Sequence, residues 1–385
     1  MHFTLHLSSA CNMKCDYCYA PPRDGAVMTE TVGRRVMDMA AETNENSCGI
    51  VFFGGEPLLH KNLVHSLVEY GEHHPSGKPF HFKVTTNGVL LDDDFIAYAV
   101  RHGIVTALSL DGTAPAHDAH RRLANGMPSW DRVLPRLKAL LTARPYSPVF
   151  TTVNPDTAPY LSDSVAFLMG LGVKYMIVSL NYAADWTDKT FRILEREYKK
   201  LAALYLQWTR EERKFYFSPF EVKLSSHINR HCYQKERCEL AKKQVSVDAG
   251  GFLYPCVQFA SMGPDSAWCI GNVFDGINEA ARTRIQQESM QEKAGCQDCA
   301  LNARCNNTCG CLNWQTTGDL NTISPVLCRY EQMLMKTSDR IGEKLYRERN
   351  PQFLQKHYNE AYPYLSLIED LEKGVIQAAR MTNPE

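Results

Sequence analysis

Three cysteines near the start of the chain have a spacing that suits iron–sulfur chemistry. Cys11, Cys15 and Cys18 form a C-x3-C-x2-C run that follows the short apolar stretch at residues 3–7. A [4Fe–4S] cluster has four irons and normally takes four cysteine thiolates. Three thiolates would leave one iron open to bind another molecule, and that iron would be a reaction site. The alternative is a zinc knuckle with a distant fourth ligand, because structural zinc usually closes a tetrahedral site.

A second group of eight cysteines lies in the C-terminal part of the chain. Eight thiolates are enough for two fully ligated [4Fe–4S] clusters. Two zinc sites of four thiolates each are the alternative, because such sites use similar C-x2-C pairs. The eight are Cys232 and Cys238, then Cys256 at the end of a G-x4-C element, then Cys296, Cys299, Cys305 and Cys309 in a C-x2-C-x5-C-x3-C block, and finally Cys328.

Three cysteines belong to neither group. Cys48 and Cys269 are expected to be ordinary buried thiols. Cys311 lies so close to Cys309 in the sequence that the two could exchange as ligands.

Composition places the chain among ordinary proteins of the cytosol. Its 385 residues suffice for two or more domains. A net charge of −1, from 42 basic and 43 acidic residues, gives no field that would attract nucleic acid or an anionic membrane. The sequence has neither a secretory signal nor about 18 uninterrupted apolar residues. We therefore expect a cytoplasmic protein, in which many cysteines indicate metal ligands rather than disulfides.

The elements that must position the first cysteines alternate between strands and helices. This pattern over residues 1–182 predicts βα units and a parallel sheet. Strands are predicted at 3–7, 49–53, 80–85, 106–110, 149–153 and 174–178, and helices at 29–42, 62–73, 92–102, 130–143 and 161–171. A long helical stretch is predicted at 185–213, a hairpin at 244–254, and a helical segment at 329–380 that Pro351 and Pro363 would break.

Three of the predicted strands end in motifs suited to ligand binding. Active sites in parallel α/β folds lie at the carboxyl ends of strands. Glycines allow close approach of a ligand to the backbone, carboxylates accept hydrogen bonds from ammonium groups, and arginine can pair with a carboxylate. A plain glycine turn and a solvated basic pair are the alternatives for the first and last of these features. The residues concerned are Gly54, Gly55 and Glu56 after the second strand, Thr86 and Asn87 after the third, Ser109 and Asp111 at the fourth, and Arg121.

The cysteine triad and these strand-end motifs, in this order, resemble the radical S-adenosylmethionine (SAM) superfamily. The resemblance implies an α/β fold with a partial (β/α)6 barrel, a [4Fe–4S] cluster on the triad, and SAM bound to the open iron. It also implies reductive cleavage of SAM to a 5′-deoxyadenosyl radical, which abstracts hydrogen from the substrate. The SAM contacts that it implies are Gly54, Gly55, Glu56, Thr86, Asn87, Ser109 and Arg121.

The second cysteine group resembles the SPASM extension of radical SAM enzymes, which carries two auxiliary Fe–S clusters. The resemblance assigns four cysteines to each cluster, so that three [4Fe–4S] clusters are expected in all. It implies a barrel at 1–184, a helical bridge at 185–230, a SPASM domain at 231–330 and a helical extension at 331–385. Auxiliary cluster I would use Cys232, Cys238, Cys256 and Cys309, and auxiliary cluster II would use Cys296, Cys299, Cys305 and Cys328.

One catalytic and two auxiliary clusters suggest an oxidation, and SPASM enzymes mostly act on peptides or proteins. The cysteine layout looks most like that of anaerobic sulfatase maturases, which make formylglycine from cysteine or serine. In that group an aspartate base follows the cysteine of the G-x4-C element, whereas Val257 follows Cys256 here. A valine cannot take a proton, which favours a maturase that forms thioether or C–C cross-links in ribosomally made precursor peptides.

The expected partners are the precursor peptide or protein and an electron donor such as flavodoxin or ferredoxin. Because the first strand begins at residue 3, a leader would be recognised by another surface or by a separate leader-binding protein. A small-molecule radical SAM oxidoreductase and a zinc-binding interaction protein remain as alternatives.

Overall fold

The computed structural model describes residues 1–19, 25–229, 238–372 and 374. Its main feature is a sheet with the strand order β7-β6-β5-β4-β3-β2-β1-β8-β9. Neighbouring strands are parallel except for β8 and β9, which are antiparallel. Within the described residues the two outermost strands do not pair, so the sheet is open. The strands are β1 (His2–His6), β2 (Cys48–Phe53), β3 (Phe80–Thr86), β4 (Val105–Ser109), β5 (Pro148–Val153), β6 (Tyr175–Leu180), β7 (Tyr216–Phe217), β8 (Gln244–Val247) and β9 (Leu253–Tyr254).

The first six strands confirm the predicted strands to within two residues at each end. Their apolar side chains are buried, as for Phe3, Leu5 and Phe52, because helices cover a parallel sheet. The register joins Leu5 to Phe52 and Phe52 to Val84, which brings the carboxyl ends of β1, β2 and β3 to one edge.

The helices between these strands begin and end close to the predicted positions. The first is capped by Thr29, whose hydroxyl accepts a hydrogen bond from the Val32 amide at 3.3 Å. A short helix after β4 was not predicted. The helices are α1 (Glu30–Glu42), α2 (Lys61–Glu72), α3 (Asp93–Arg101), α4 (Ala114–His120), α5 (Trp130–Ala143), α6 (Leu161–Gly170), α7 (Asp188–Arg210), α8 (Ser218–Ile228), α9 (Glu279–Met290), α10 (Gly310–Thr317), α11 (Pro325–Arg347), α12 (Pro351–Tyr358) and α13 (Tyr362–Glu372).

The long helix α7 confirms the predicted helical stretch. Its buried residues Leu194, Tyr198, Leu201 and Tyr205 recur every three or four positions and form one apolar face. This face packs against α6 and α11. The short strand β7 after α7 extends the sheet beyond the six predicted strands.

The C-terminal region shares the sheet with the N-terminal strands. β8 and β9 form the predicted hairpin, but β8 also pairs in parallel with β1, with Leu5 opposite Val247. This pairing of β8 with β1 is not predicted from the sequence. The two-stranded ribbon Gly271–Asn272 and Gly276–Ile277 follows the hairpin.

The helical extension differs in detail from its prediction. Helix α11 begins at Pro325, so the domain boundary expected at 330 lies inside one continuous helix. Pro351 and Pro363 stand at the first and second positions of α12 and α13. They begin helices because a proline at the first turn loses no intrahelical hydrogen bond. No helix in the described parts of the chain is long and apolar enough to cross a membrane.

Candidate active site

The triad lies in the segment that leaves the carboxyl end of β1. The segments that follow β2, β3 and β4 reach the same edge of the sheet, as expected for parallel strands. Each of them contacts the triad segment through a different set of hydrogen bonds.

The glycine motif after β2 runs against the backbone just before Cys11. The amide of Gly55 donates to the Ser8 carbonyl at 2.8 Å, and the amide of Glu56 donates to the Ala10 carbonyl at 2.9 Å. A Cβ atom on Gly55 would lie 2.1 Å from the Ala10 oxygen, and Gly54 adopts a φ of +124°. Only glycines permit this approach, so the motif has a defined structural role at this position.

The Glu56 carboxylate is buried and joins the ends of β2 and β3. It accepts hydrogen bonds from the Thr86 hydroxyl at 2.7 Å, the Asn87 amide at 2.8 Å and the Leu58 amide at 3.1 Å. Burial raises the pKa of Glu56 to about 7, although these hydrogen bonds oppose the shift. The side chain is 1% exposed, so its observed role is to hold Thr86 and Asn87 in place.

Asn87 in turn holds the beginning of the triad. Its side-chain amide donates to Asn12 Oδ1 at 2.7 Å and to Cys11 Sγ at 3.6 Å. The amide of Met13 also donates to Cys11 Sγ, at 3.4 Å. Hydrogen bonds of this kind stabilise a thiolate over a thiol.

The end of β4 holds the middle of the triad through Tyr17. The Tyr17 hydroxyl donates to Asp111 Oδ2 at 2.7 Å, and Arg121 Nε donates to the same oxygen at 2.9 Å. The Arg121 guanidinium also lies 5.3 Å from the centre of the Tyr17 ring. Burial lowers the pKa of Arg121, but the Asp111 carboxylate together with Tyr17 and Cys15 outweighs this effect, and the net shift is upward.

The other side of the triad segment pairs with the chain around Arg122. The amide of Lys14 donates to the Arg122 carbonyl at 2.8 Å, and the amide of Ala124 donates to the Asn12 carbonyl at 3.0 Å. The triad segment is thus held on two sides by backbone hydrogen bonds.

The three triad thiols are close enough to influence one another. Burial raises the pKa of Cys15 to about 11; Arg121 opposes the shift, and the thiols of Cys18 and Cys11 add to it. Cys18 is exposed, and Ser109 is half-buried at the end of β4. No group of three or more His, Cys, Asp or Glu side chains in the described ranges is arranged to hold a single metal ion. A cube does not need such convergence, because each thiolate binds a separate iron.

Four thiols of the C-terminal region meet at a second place. The Sγ atoms of Cys309 and Cys311 are 3.5 Å apart, and the thiols of Cys238 and Cys256 are close enough to shift the pKa values of Cys309 and Cys311 respectively. Hydrogen bonds from Cys238 and Cys311 hold the pKa of Cys309 well below its usual value. Cys232, which the resemblance assigns to this group, lies outside the described residues.

Cys305, one of the four remaining cysteines of the C-terminal group, lies near a buried ion pair. Lys223 and Glu331 are 2.6 Å apart, and the Glu331 carboxylate accepts the amide hydrogen of Asn306 at 3.0 Å. Burial, with smaller contributions from Glu331 and Cys296, raises the pKa of Cys305 to about 12. The thiols of Cys299 and Cys328 are half-buried. The amide of Cys299 donates a hydrogen bond to the Cys296 carbonyl at 3.2 Å, and Cys328 Sγ accepts one from the side chain of Gln332 at 3.3 Å.

Comparison with known protein families gives a match for the N-terminal part of the chain, which carries the triad. Residues 5–168 match the family model of the Radical SAM superfamily. These residues form a radical SAM domain.

Relatives extend the similarity beyond the radical SAM domain. A cysteine-type anaerobic sulfatase-maturating enzyme of Clostridium novyi is 20% identical over 325 residues, 78% of this chain and 85% of that enzyme. An uncharacterized protein of Methanocaldococcus jannaschii is 30% identical over 176 residues. That alignment covers 45% of this chain and 60% of the relative, so the chain spans less than two thirds of that protein.

Solved structures show the same fold. The enzyme anSMEcpe with bound AdoMet and Cp18Cys peptide is similar with a TM-score of 0.77 at 16% identity, over 90% of this chain and 99% of that one. Streptococcus suis SuiB bound to the precursor peptide SuiA has a TM-score of 0.58 at 15% identity, over 85% of this chain and 75% of SuiB. At these identities the likeness describes the fold alone.

Tyr19, which is 38% exposed overall, has thiols of both cysteine groups near its hydroxyl. Burial of its hydroxyl raises the pKa of Tyr19, and the thiols of Cys256, Cys18 and Cys311 contribute to the shift. The tyrosine is therefore near both cysteine groups. The only sequence signal for this position of Tyr19 is that it directly follows Cys18.

Two contacts in the radical SAM domain differ from what the sequence predicts. Asp111 was noted only as a polar strand end, although it joins Tyr17 to Arg121. Arg121 was expected to bind a SAM carboxylate, and its observed partner is Asp111. The sequence signal for this pair was the spacing of an acid and a base across the short helix α4.

Proposed function

We propose that this chain is a radical SAM maturase that oxidises a peptide substrate. The observation that carries the proposal is the anchoring of Cys11, Cys15 and Cys18 at the carboxyl edge of the sheet by three separate strand ends. An open iron on such a triad, with SAM, would supply a 5′-deoxyadenosyl radical that abstracts a hydrogen atom from the substrate.

The residues around the triad fit a cluster. The three cysteines belong to one segment that is held on two sides, and two hydrogen bonds already point at Cys11 Sγ. The side-chain nitrogen of Asn12 is buried and has no hydrogen-bond partner among the described residues, so a bound group could satisfy it. A structural zinc ion fits less well, because no single-ion site is formed in the part of the chain that the structure describes.

The SAM contacts divide into direct and positioning residues. The backbone of Gly54 and Gly55, with the side chains of Asn87 and Ser109, would line the space next to the triad. Glu56 and Thr86 are almost fully buried and would position Asn87. Arg121 would set the conformation of the triad through Asp111 and Tyr17, and its positive charge would favour an anionic group nearby.

The C-terminal cysteines would hold two auxiliary clusters of a SPASM domain. The grouping of Cys238, Cys256 and Cys309 supports three of the four ligands that the resemblance implies for cluster I; the fourth of that set, Cys232, lies outside the described residues. The influence of Cys296 on Cys305 supports their sharing of cluster II with Cys299 and Cys328. These clusters would accept the electron that the substrate radical gives up, and a flavodoxin or ferredoxin would reduce the catalytic cluster in the cytoplasm.

The substrate we propose is a ribosomally made precursor peptide that receives a thioether or C–C cross-link, with its leader bound by another surface or a separate protein. The side chain that follows Cys256 is Val257, which cannot act as a general base. Likeness in fold to SuiB with its bound precursor peptide is consistent with this substrate class.

Sulfatase maturation is the second candidate, favoured by a specific observation. The similarity to the cysteine-type sulfatase maturase covers 78% of this chain and 85% of that enzyme. Formation of formylglycine would require a base other than Val257.

The test is anaerobic incubation of the iron-loaded chain with SAM, dithionite and one of two peptides. One is the short precursor encoded beside the gene, and the other carries a sulfatase-type cysteine or serine. A product lighter by two hydrogens that resists an aldehyde reagent would establish cross-linking, whereas an aldehyde product would establish formylglycine. A Cys18→Ala variant should form no 5′-deoxyadenosine. An iron-loaded chain that makes no 5′-deoxyadenosine would refute the proposal.

A further inference from the structure

Cys311 is a buried thiol that none of the expected ligand sets uses. It is 5% exposed, and its Sγ atom lies 3.5 Å from that of Cys309. Its thiol is also close enough to that of Cys256 for each to shift the pKa of the other, and the same holds for Cys238 and Cys309. The described residues therefore bring four thiols into one group.

The local backbone explains why two thiols only two residues apart can touch. Cys309 caps helix α10 in a non-helical conformation, and Cys311 lies in the first turn of that helix. The intervening Gly310 packs closely, because a Cβ atom there would lie 3.3 Å from Leu320 and 3.4 Å from Leu240.

The number of thiols in the group matches the number that a [4Fe–4S] cluster needs. Cys238, Cys256, Cys309 and Cys311 would saturate one cluster, and Cys232 would be a fifth thiol. We infer that Cys311, in place of Cys232, supplies the fourth thiolate of auxiliary cluster I. This inference rests on the proposed function, in which the C-terminal cysteines hold iron–sulfur clusters.

The ligation involves no redox change at Cys311. Its thiol loses a proton to solvent, and the sulfur donates a lone pair to one iron. The four thiols must move apart on binding, because each takes a different iron.

The test removes the radical SAM triad first, so that only auxiliary iron is counted. The parent is the full chain with Cys11, Cys15 and Cys18 changed to alanine, reconstituted anaerobically with iron and sulfide. Two saturated clusters give about eight irons per chain. Cys311→Ala and Cys232→Ala are then introduced separately, with Cys269→Ala as the matched control. Iron and sulfide contents and the EPR spectrum of the reduced protein are measured.

We expect Cys311→Ala to retain about four irons and to lose one EPR component, whereas Cys232→Ala and Cys269→Ala retain about eight. The four irons kept at cluster II would show that the Cys311 variant is folded. If the alanine variant does not fold, the nearly isosteric Cys311→Ser decides, with an expected loss of iron or a changed EPR component.

The opposite pattern, with full iron in Cys311→Ala and loss in Cys232→Ala, would make Cys232 the ligand and overturn the inference. Loss in both variants, or in neither, would overturn it as well. If the C-terminal cysteines held no clusters at all, the parent without the triad would itself bind no iron. That result would refute both the proposed auxiliary clusters and the ligand assignment, and it is distinguishable from the patterns above.

Discussion

Replacing Asp111 by asparagine should release the triad segment of the radical SAM domain. The carboxylate is 3% exposed and accepts hydrogen bonds from Arg121 Nε at 2.9 Å, Tyr17 at 2.7 Å and the Thr152 amide at 2.8 Å. An asparagine has the same shape but only one acceptor oxygen, so at least one buried donor would face its NH2 group.

The size of the effect follows from the burial of the partner. Arg121 is 8% exposed, and Asp111→Asn would leave its charge buried without a counterion. Breaking a buried ion pair from one side costs about 3–5 kcal/mol. We expect a loss of this size in the free energy of the first urea unfolding transition, measured on the iron-free chain. Because Tyr17 stands between Cys15 and Cys18, the iron-loaded variant should also hold about four fewer irons.

Two further variants test the reason for the loss. Asp111→Asn combined with Arg121→Met removes both charges, so it should be less destabilised than Asp111→Asn alone. Glu343→Gln breaks an exposed pair with Arg347 and should cost less than about 1 kcal/mol. A loss below about 1 kcal/mol for Asp111→Asn, with its iron content unchanged, would refute the claim that this pair anchors the triad.

Gly55→Ala should displace the triad segment and reduce the iron content after reconstitution, because the new Cβ would lie 2.1 Å from the Ala10 carbonyl oxygen. Gly170→Ala is the control and should load normally, because no atom lies within 4 Å of a Cβ there. Equal iron contents in the two variants would contradict the close approach at Gly55. Burial lowers the pKa of His117 to about 4, so the unfolded chain binds a proton there more readily and stability falls as pH drops from about 6.5 towards 4. His117→Gln should remove roughly 3 kcal/mol of that fall, and an unchanged pH profile in urea unfolding would refute the assignment. Lys223→Met should cost about 3–5 kcal/mol because it leaves Glu331 buried without its cation, and a thermal melt that matches the unsubstituted chain would count against a structural role for the pair.

The sequence predicted the parts of the fold that depend on local patterns. The first six strands were found because their apolar runs are bounded by glycines and polar strand ends. The pairing of β8 with β1 could not be found in this way, because its residues are separated by more than two hundred positions and β8 reads only as half of a hairpin. The strand β7 has only two residues, too few to show a period.

At the candidate site, the sequence identified residue types but not their partners. The spacing of Cys11, Cys15 and Cys18 is enough by itself to indicate iron–sulfur chemistry. The role of Glu56 does not, because a carboxylate in a glycine turn could face solvent, a ligand or, as observed, the next strand end. Whether a side chain is buried against its neighbours is decided by the packing of distant segments.

The C-terminal cysteines are tied to the radical SAM domain through its sheet and its outer helices. β8 bonds to β1, the strand that leads into the triad, and β9 then leads to Cys256. On the other side, Cys328 lies in the first turn of helix α11, and Tyr330 of this helix packs on Tyr198 of α7 with ring centres 5.6 Å apart. Removal of the C-terminal region would therefore expose both an edge of β1 and the apolar face of α7. A movement of either cysteine group relative to the other is opposed by this shared sheet, as the proposed electron transfer between their clusters would require.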